Sequence, residues 1–407
     1  MALIVQKYGG TSVGTPARMR AVASHIKNTR EAGHQLVIVV SAMGQSTDDL
    51  IALASEVTEG VEAEDPYGRE MDMLLSTGER ISMALLSMAL RKIDVPAFSL
   101  TGSQSGIITD ESHRNARIKM IRGDRIREGL KENKVVIVAG FQGVSQSKEI
   151  TTLGRGGSDT TAVALAVNLK ADVCEIYTDV DGIYTADPRL VKSAKPRLAV
   201  SIDQMLELSW SGAGVLHSRC VELARQFRVP MVIRSSLDFS QPGTKLVMSN
   251  PSSETSKMEK VIFDGVSLDE SLGLLEVCLE RAGALTSVIE LSARLHLKCL
   301  SPVYAKNEVT LFYDRSSEEQ WGKGLEKLAR DGFVKSWKFR PDLAPLTVSG
   351  GRFAQDGQAI LSLVDCLGKE NIEIFRISAN TLSLTVALAR QRGHDAVKAV
   401  HANLIGA

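Results

Sequence analysis

The chain has 407 residues, more than one ordinary core accommodates, so two or three domains are expected. Lys plus Arg (48) equals Asp plus Glu (48), a balance that argues against a general binder of nucleic acid or anionic membrane. No apolar stretch has bilayer-spanning length, the start reads as no signal peptide, and five scattered cysteines without a C-x-x-C pair read as packed, reduced thiols of a cytoplasmic protein.

The first element is an apolar run, Leu3–Gln6, that ends in Lys7-Tyr8-Gly9-Gly10-Thr11-Ser12. Thr15 then offers an N-cap and Pro16 a first helical position for a helix through Ala17 to Glu31. Strand, side-chain-poor turn and helix N-terminus form a phosphate cradle, with Lys7 as its mobile charge. A Gly-Gly pair alone also makes an ordinary tight turn. Neither a G-x-x-x-x-G-K-[ST] loop nor a G-x-G-x-x-G fingerprint occurs.

Further strands are expected at Gln35–Val40, Lys134–Ala139, Val173–Tyr177 and Val229–Arg234, each a continuous Val/Ile-rich run of the kind a sheet covered on both faces requires. Helical stretches at Met71–Arg91, Asp159–Leu169 and Val215–Phe227 alternate with them, which predicts an α/β, three-layer αβα domain over residues 1–249 with a mainly parallel sheet. Ligands on such sheets gather at the carboxyl ends of the strands, so the loops there carry the chemistry.

A polar linker at 250–262 is followed by two units with the order β-α-β-β-α, read as ferredoxin-like modules over residues 263–342 and 343–407.

Four more loops lie near the predicted strand ends. Ser41-Ala42-Met43-Gly44 follows the second strand, with Thr47 near a helix start; Ser76–Arg80 reads as an interruption of a helical region that carries Glu79. Gly154-Arg155-Gly156-Gly157-Ser158-Asp159 opens an Ala/Val-rich helix, and Thr178-Asp179-Val180-Asp181-Gly182 leads through Tyr184 to Arg189. Taken singly, Thr47 and Ser158 are helix caps, the Asp179–Asp181 pair a turn, Glu79 a solvated charge and His217 a structural hydrogen-bonder. Calcium-loop spacing, a Ser-His-Asp order and an H-E-x-x-H zinc pattern are missing. Arg155, held among glycines at a helix N-terminus, can clamp a carboxylate or phosphate bidentately. Lys7 and Arg155 for anions, with Glu79 or Asp159 for an ammonium, suit a substrate with an amino group and carboxylates.

These segments, in this order, resemble the aspartate kinases of the amino acid kinase superfamily. The tail resembles their paired ACT-type modules. The resemblance implies transfer of the γ-phosphoryl of MgATP to the β-carboxylate of L-aspartate, the first step toward lysine, threonine and methionine. ATP with Mg²⁺ would be a co-substrate, with no tightly bound cofactor and no resident metal site. By position, Lys7 would stabilise the transferring phosphoryl, and Asp159 would orient the site. Thr47, Glu79, Arg155, Gly156, Gly157 and Ser158 would hold aspartate, Arg155 at its α-carboxylate and Glu79 at its ammonium. Lys7, Tyr8, Gly9, Gly10, Ser41, Thr178, Asp179, Tyr184 and Arg189 would line the nucleotide pocket. A homodimer through the ACT-type modules, a cytoplasmic location and no nucleic-acid or membrane partner are also implied. Alternatives are a kinase for a related acidic amino acid and a catalytically weak, ligand-sensing regulatory homologue.

Two departures qualify the resemblance. Where the family reads Gly-Ala-Lys-Val-Leu-His, this chain has Gly214 in place of the lysine. One lost charge-stabilising group costs roughly 3–4 kcal/mol, which Arg189, Arg219 or Lys245 would have to offset. Glu280–Gly283 and Leu300–Val303 replace the turn and Gln-Asn pair of effector-binding members, so the modules are expected mainly to dimerise the chain.

Overall fold

The computed structural model describes residues 1–58, 67–210, 215–248, 262–281, 283–295, 297, 299–351, 353 and 357–405. Gly214, Ala282 and linker residues 250–261 lie outside them. In chain order the elements open with β1 (Leu3–Tyr8), α1 (Pro16–Glu31), β2 (Gln35–Val40), α2 (Ser46–Val57) and α3 (Gly68–Lys92). Next come β3 (Ala97–Leu100), β4 (Ile107–Thr109), β5 (Ile118–Ile121), α4 (Asp124–Lys131), β6 (Val135–Ala139), β7 (Gln142–Val144) and β8 (Ile150–Thr152). They continue with α5 (Gly157–Leu169), β9 (Val173–Thr178), β10 (Ile183–Tyr184), β11 (Pro196–Arg197), β12 (Ala199–Ser201), α6 (Ile202–Trp210), α7 (Ser218–Phe227), β13 (Met231–Ser235) and β14 (Thr244–Val247).

The chain forms two compact units. The first comprises Met1–Ile183, Pro196–Leu206 and Gly214–Glu254. Its main sheet has eight strands in the order β12-β14-β13-β9-β1-β2-β6-β3. Every neighbouring pair is parallel except β13 with β14. β2 and β6 are almost wholly buried, as their apolar runs require. β1 is central, in register Lys7 to Val39 on one side and to Ile176 on the other. The carboxyl ends of β1, β2, β6, β9 and β13 therefore share one edge. A smaller sheet, β5-β4-β7-β8, completes the unit.

Successive side chains of β1 point to opposite faces. Ile4 and Tyr8 enter a core with Met19, Val22 and Ile26 of α1 and Leu86 and Leu90 of α3. Lys7 points the other way, toward α5. The α1 start is as expected: Thr15 caps it, its Oγ1 accepting from Arg18 N at 3.2 Å, with Pro16 at the first helical position. α3 corrects the interruption expected at Ser76–Arg80, because it is one helix of 25 residues through that stretch. Gly78 serves close packing there, since a Cβ would lie 2.7 Å from Ala42 Cβ.

The second unit comprises Tyr184–Lys195, Glu207–Ala213 and Thr255–Ala407. Its first elements after 261 are β15 (Ile262–Leu268), β16 (Leu272–Leu279), α8 (Ala284–Arg294), β17 (Leu300–Ala305), β18 (Glu308–Asp314), α9 (Glu318–Arg330) and β19 (Val334–Arg340). They are followed by β20 (Leu343–Gly351), α10 (Gly357–Lys369), β21 (Ile374–Ala379), β22 (Ser383–Ala389) and α11 (Gly393–Val400). One antiparallel sheet, β17-β18-β16-β19, packs α8 and α9 on a core that includes Trp321 and Leu325. The other, β15-β20-β22-β21, packs α10 and α11 around Leu346, Val348, Leu363 and Val397.

β15 differs from the expected division. Placed by sequence in the first module from residue 263 onward, it pairs antiparallel with β20 and completes the second module's sheet. Its alternating apolar residues fit either sheet, so only the pairing decides. Val266 of β15 is buried in the second module's core. Val266→Ala is accordingly expected to cost about 1–3 kcal/mol. Hydrogen exchange should then rise in Leu343–Gly351 and not in Leu272–Leu279; the reverse pattern would refute the assignment.

Candidate active site

The site is built at the shared strand edge of the first unit. Lys7 Nζ lies 2.6 Å from Asp159 Oδ1, and both side chains are nearly buried, at 11% and 13% exposure. Asp159 is in the first turn of α5, where the helix dipole favours a carboxylate. Removing one member of such a pair strands the other at a cost of about 3–5 kcal/mol.

The neighbouring loops close tightly on this pair. Gly9 N donates to Tyr177 O at 3.2 Å, Ser41 N to Tyr8 O at 3.1 Å and Gly44 N to Gly10 O at 3.0 Å. A Cβ on Gly10 would stand 2.9 Å from Ala42 O, so this glycine has a packing role beside its place in the phosphate turn. The position of a Gly9 Cβ would be 3.6 Å from Lys7 Nζ and 3.8 Å from Ser12 Oγ. Ser12 Oγ is buried without a hydrogen-bond partner among the described residues. It is a hydroxyl donor beside the lysine to which sequence reasoning gave no role.

Glu79 is 3% exposed. Its Oε1 accepts from Ala42 N at 3.1 Å, and its Oε2 is buried with no partner among the described residues. Desolvation pushes its carboxyl up to about 7, against the smaller opposing pull of hydrogen bonds from its own N–H and that of Ala42. Through Ala42 the carboxylate is tied to the same loop that touches Gly10. The default reading of Glu79 as a solvated charge is thus overturned.

Arg155 is exposed and has no partner among the described residues. Its flanking Gly156 is left-handed at φ +71°, and a Cβ there would lie 2.3 Å from His217 Cβ, so the turn tolerates only glycine. Gly157 and Ser158 start α5 in buried positions. Thr47 lies in the first turn of α2 and is not its cap. At the end of β9, Thr178 Oγ1 donates to Asp179 Oδ1 at 3.1 Å.

One expected nucleotide contact reads differently. Tyr8 is fully buried on the face opposite Lys7, stacked on Tyr177 at 4.8 Å with its hydroxyl donating to Gln6 Oε1 at 3.0 Å. Strand alternation leaves only its main chain at the strand end. Tyr184 and Arg189 belong to the second unit. There Arg189 holds Asp187, with NH2 to Oδ2 at 2.7 Å, and the surrounding Ala186 and Val191 enter the second module's core.

Two residues to which sequence reasoning gave no such role fasten the Arg155 loop. Asp72 shares the buried stripe of α3 with Glu79. It accepts from Thr152 Oγ1 at 2.5 Å and Arg114 N at 3.1 Å, and it binds His113 Nδ1 at 2.7 Å. Arg219 donates to Leu153 O at 2.7 Å and Ala116 O at 2.6 Å. Those bonds engage the Arg219 guanidinium with the backbone of the loop. The i, i+7 spacing of Asp72 and Glu79 was the available sequence signal.

Comparison with known proteins identifies the family. Residues 2–235 match the model of the amino acid kinase family. The chain is 42% identical to an aspartokinase of Mycolicibacterium smegmatis, over 98% of this chain and 96% of that one. It is 38% identical to aspartokinase 2 of Bacillus subtilis, over 98% and 97%. In fold it resembles E. coli aspartokinase III crystallised with aspartate and ADP, with a TM-score of 0.82 at 24% identity over 99% of both chains. The strand-end lysine, the glycine-built loops and likeness along nearly the whole length lead to one conclusion: the chain belongs to the amino acid kinase family, among the aspartokinases.

Proposed function

We propose that this chain transfers the γ-phosphoryl group of MgATP to the β-carboxylate of L-aspartate, giving 4-phospho-L-aspartate and ADP. A carboxylate oxygen forms the new bond to γ-phosphorus as the bond to the β,γ-bridging oxygen breaks, and the electron pair leaves with ADP. The acceptor is already ionised at neutral pH, so no proton has to be removed. Catalysis then reduces to alignment and charge neutralisation.

The observation that carries this reading is the buried Glu79 with its unpaired Oε2, tied through Ala42 to the loop behind Lys7. Glu79 binds the ammonium of aspartate, and Arg155 its α-carboxylate. Thr47 and Ser158 complete the pocket. Lys7, oriented by Asp159, stabilises charge on the moving phosphoryl, and Ser12 adds a donor. Gly9, Gly10, Ser41, Thr178 and Asp179 line the nucleotide side. Asp179 and Asp159 are oxygen donors of the kind Mg²⁺ accepts alongside phosphate oxygens and water. When bound, the ion neutralises phosphate charge.

Among the described residues no helix is long and apolar enough to cross a membrane; we place the protein in the cytoplasm. We also assign a homodimer through the second unit. Its edge strands β17 and β21 expose Val303, Tyr304, Phe375 and Ile377 at 40–44%, apolar surface of a kind that a partner covers. Light scattering should return twice the chain mass, and a monomer at micromolar concentration would refute the assignment.

Incubation with MgATP and hydroxylamine should trap aspartate hydroxamate. Glutamate hydroxamate would instead favour the related-acid kinase, and no hydroxamate the regulatory homologue. Arg155→Ala should raise the KM for aspartate about 10–100-fold, the range for one lost charged hydrogen bond, with the KM for ATP little changed. Because burial raises the Glu79 carboxyl to about 7, the free protein loses its ammonium-binding charge as pH falls below that value. We expect kcat/KM for aspartate to climb with pH through about 7, and Glu79→Gln to flatten that limb. A limb unchanged in the variant would assign the titration to another group.

A further inference from the structure

The ammonium and α-carboxylate of an amino acid leave the same carbon, so the groups that receive them must keep one fixed spacing. Here the two receivers come from different elements, Glu79 from α3 and Arg155 from the turn after β8. Arg155 is exposed without a partner among the described residues. Its place therefore depends on what anchors the strand before it.

Two buried hydrogen bonds anchor that strand and its neighbour to α3. Thr152 Oγ1 donates to Asp72 Oδ1 at 2.5 Å, and Gln142 Nε2 donates to the main-chain oxygen of Ser76 at 2.8 Å. Gln142 and Thr152 are directly opposite partners in the β7–β8 ladder, so both side chains leave the same face of the small sheet. Their acceptors, Asp72 and Ser76, share one face of α3 with Glu79, at i, i+4 and i+7. All five residues are at most 3% exposed, so water competes for neither bond. Ser76 lies in mid-helix, where the i+4 N–H already serves its carbonyl. The Gln142 bond is thus surplus to the helix and acts on the sheet that bears Arg155. Beyond the pair the path is short and stiff: Leu153 N donates to Phe141 O at 2.8 Å, and Gly157 N closes the turn on Gly154 O at 2.9 Å.

We propose that Gln142 and Thr152 are positioning residues for substrate recognition: they peg the Arg155 turn to α3 and so set the spacing between Arg155 and Glu79. α3 acts as a ruler, one rigid helix that holds Glu79 directly and Arg155 through the peg. Neither Gln142 nor Thr152 touches the substrate. A misplacement of about 1 Å costs on the order of 100-fold in rate. Loosening the peg is therefore felt at aspartate and not at the nucleotide, whose residues stand at the ends of β1, β2 and β9. The proposal rests on the reading of Glu79 and Arg155 as the receivers of aspartate.

A double-mutant cycle in the full chain tests this, read as kcat/KM for aspartate from initial rates of hydroxamate formation at low aspartate. Gln142→Met keeps the side-chain length and removes the donor. It should lower kcat/KM for aspartate about 10–100-fold, with the KM for ATP within about twofold of wild type. In an Arg155→Ala background the same substitution should cost less than about twofold, because the peg then has no guanidinium to place. A merely structural role would give the same loss in both backgrounds. Thr152→Val, which keeps the branched shape and removes the hydroxyl, should behave alike, and it decides if far-UV circular dichroism shows Gln142→Met unfolded. Equal losses in both backgrounds, a matching rise in the KM for ATP, or wild-type kinetics in the folded variants would overturn the proposal. A wild-type chain that forms no aspartate hydroxamate would instead sink the aspartate reading itself, and the proposal with it.

Discussion

A central strand buried on both faces cannot carry a polar side chain without giving it a partner, because an unpaired polar group in the interior costs several kcal/mol (roughly 2–7). β1 carries three in a row, Gln6, Lys7 and Tyr8, and much of the first unit is arranged around satisfying them. Alternation sends Gln6 and Tyr8 to the α1 side. There Gln6 Nε2 donates to Glu175 Oε2 at 2.9 Å, and Tyr177 and Arg234 bind the same carboxylate at 3.0 Å. His25 reaches in from α1 to Tyr177 at 2.9 Å. Lys7, sent to the other face, meets Asp159 at the start of α5. A rigid polar network on one face thus underlies the reactive lysine on the other, and a shift of one residue in register would exchange them.

The strand edge is made reactive by what its loops lack. Ala42 can approach both Gly10 and Gly78 because neither has a Cβ. That approach lets Ala42 N reach Glu79 Oε1 while dehydrating the carboxylate. The same close packing raises its pKa and leaves Oε2 without a partner among the described residues. Asp72 and Arg219 play the corresponding part for the Arg155 loop, tying its backbone from two sides so that its exposed arginine stands on a fixed base.

In the second unit, strand exchange interlaces the two modules. β15 precedes the first module in sequence and completes the sheet of the second. One module is therefore inserted, in chain order, between parts of the other. The facing sheets meet through an apolar cluster at one end and leave a polar cavity at the other. Arg376 needs that asymmetry: its β21 neighbours are exposed, yet its own guanidinium is drawn under Phe312.

Continuous Val/Ile runs predicted the buried parallel strands, Thr15-Pro16 the start of α1, and the ordered loops the kinase family, because these signals are local and each residue's chemistry limits what it can do. Side-chain direction and pairing partner are not local. Sequence gave Tyr8 to the nucleotide, but its place in the pleat turned it to the core. It read Ser76–Arg80 as a break, though close contact with Ala42 explains the glycine within an unbroken helix. It placed residues 263–268 in the first module, when an alternating strand can join either sheet. The identities of Lys7, Glu79 and Arg155 were legible from the chain alone. Only the fold decided that Lys7 is paired, that Glu79 is dehydrated and half-satisfied, and that Arg155 is exposed without a partner among the described residues, since burial and distance arise when remote segments pack.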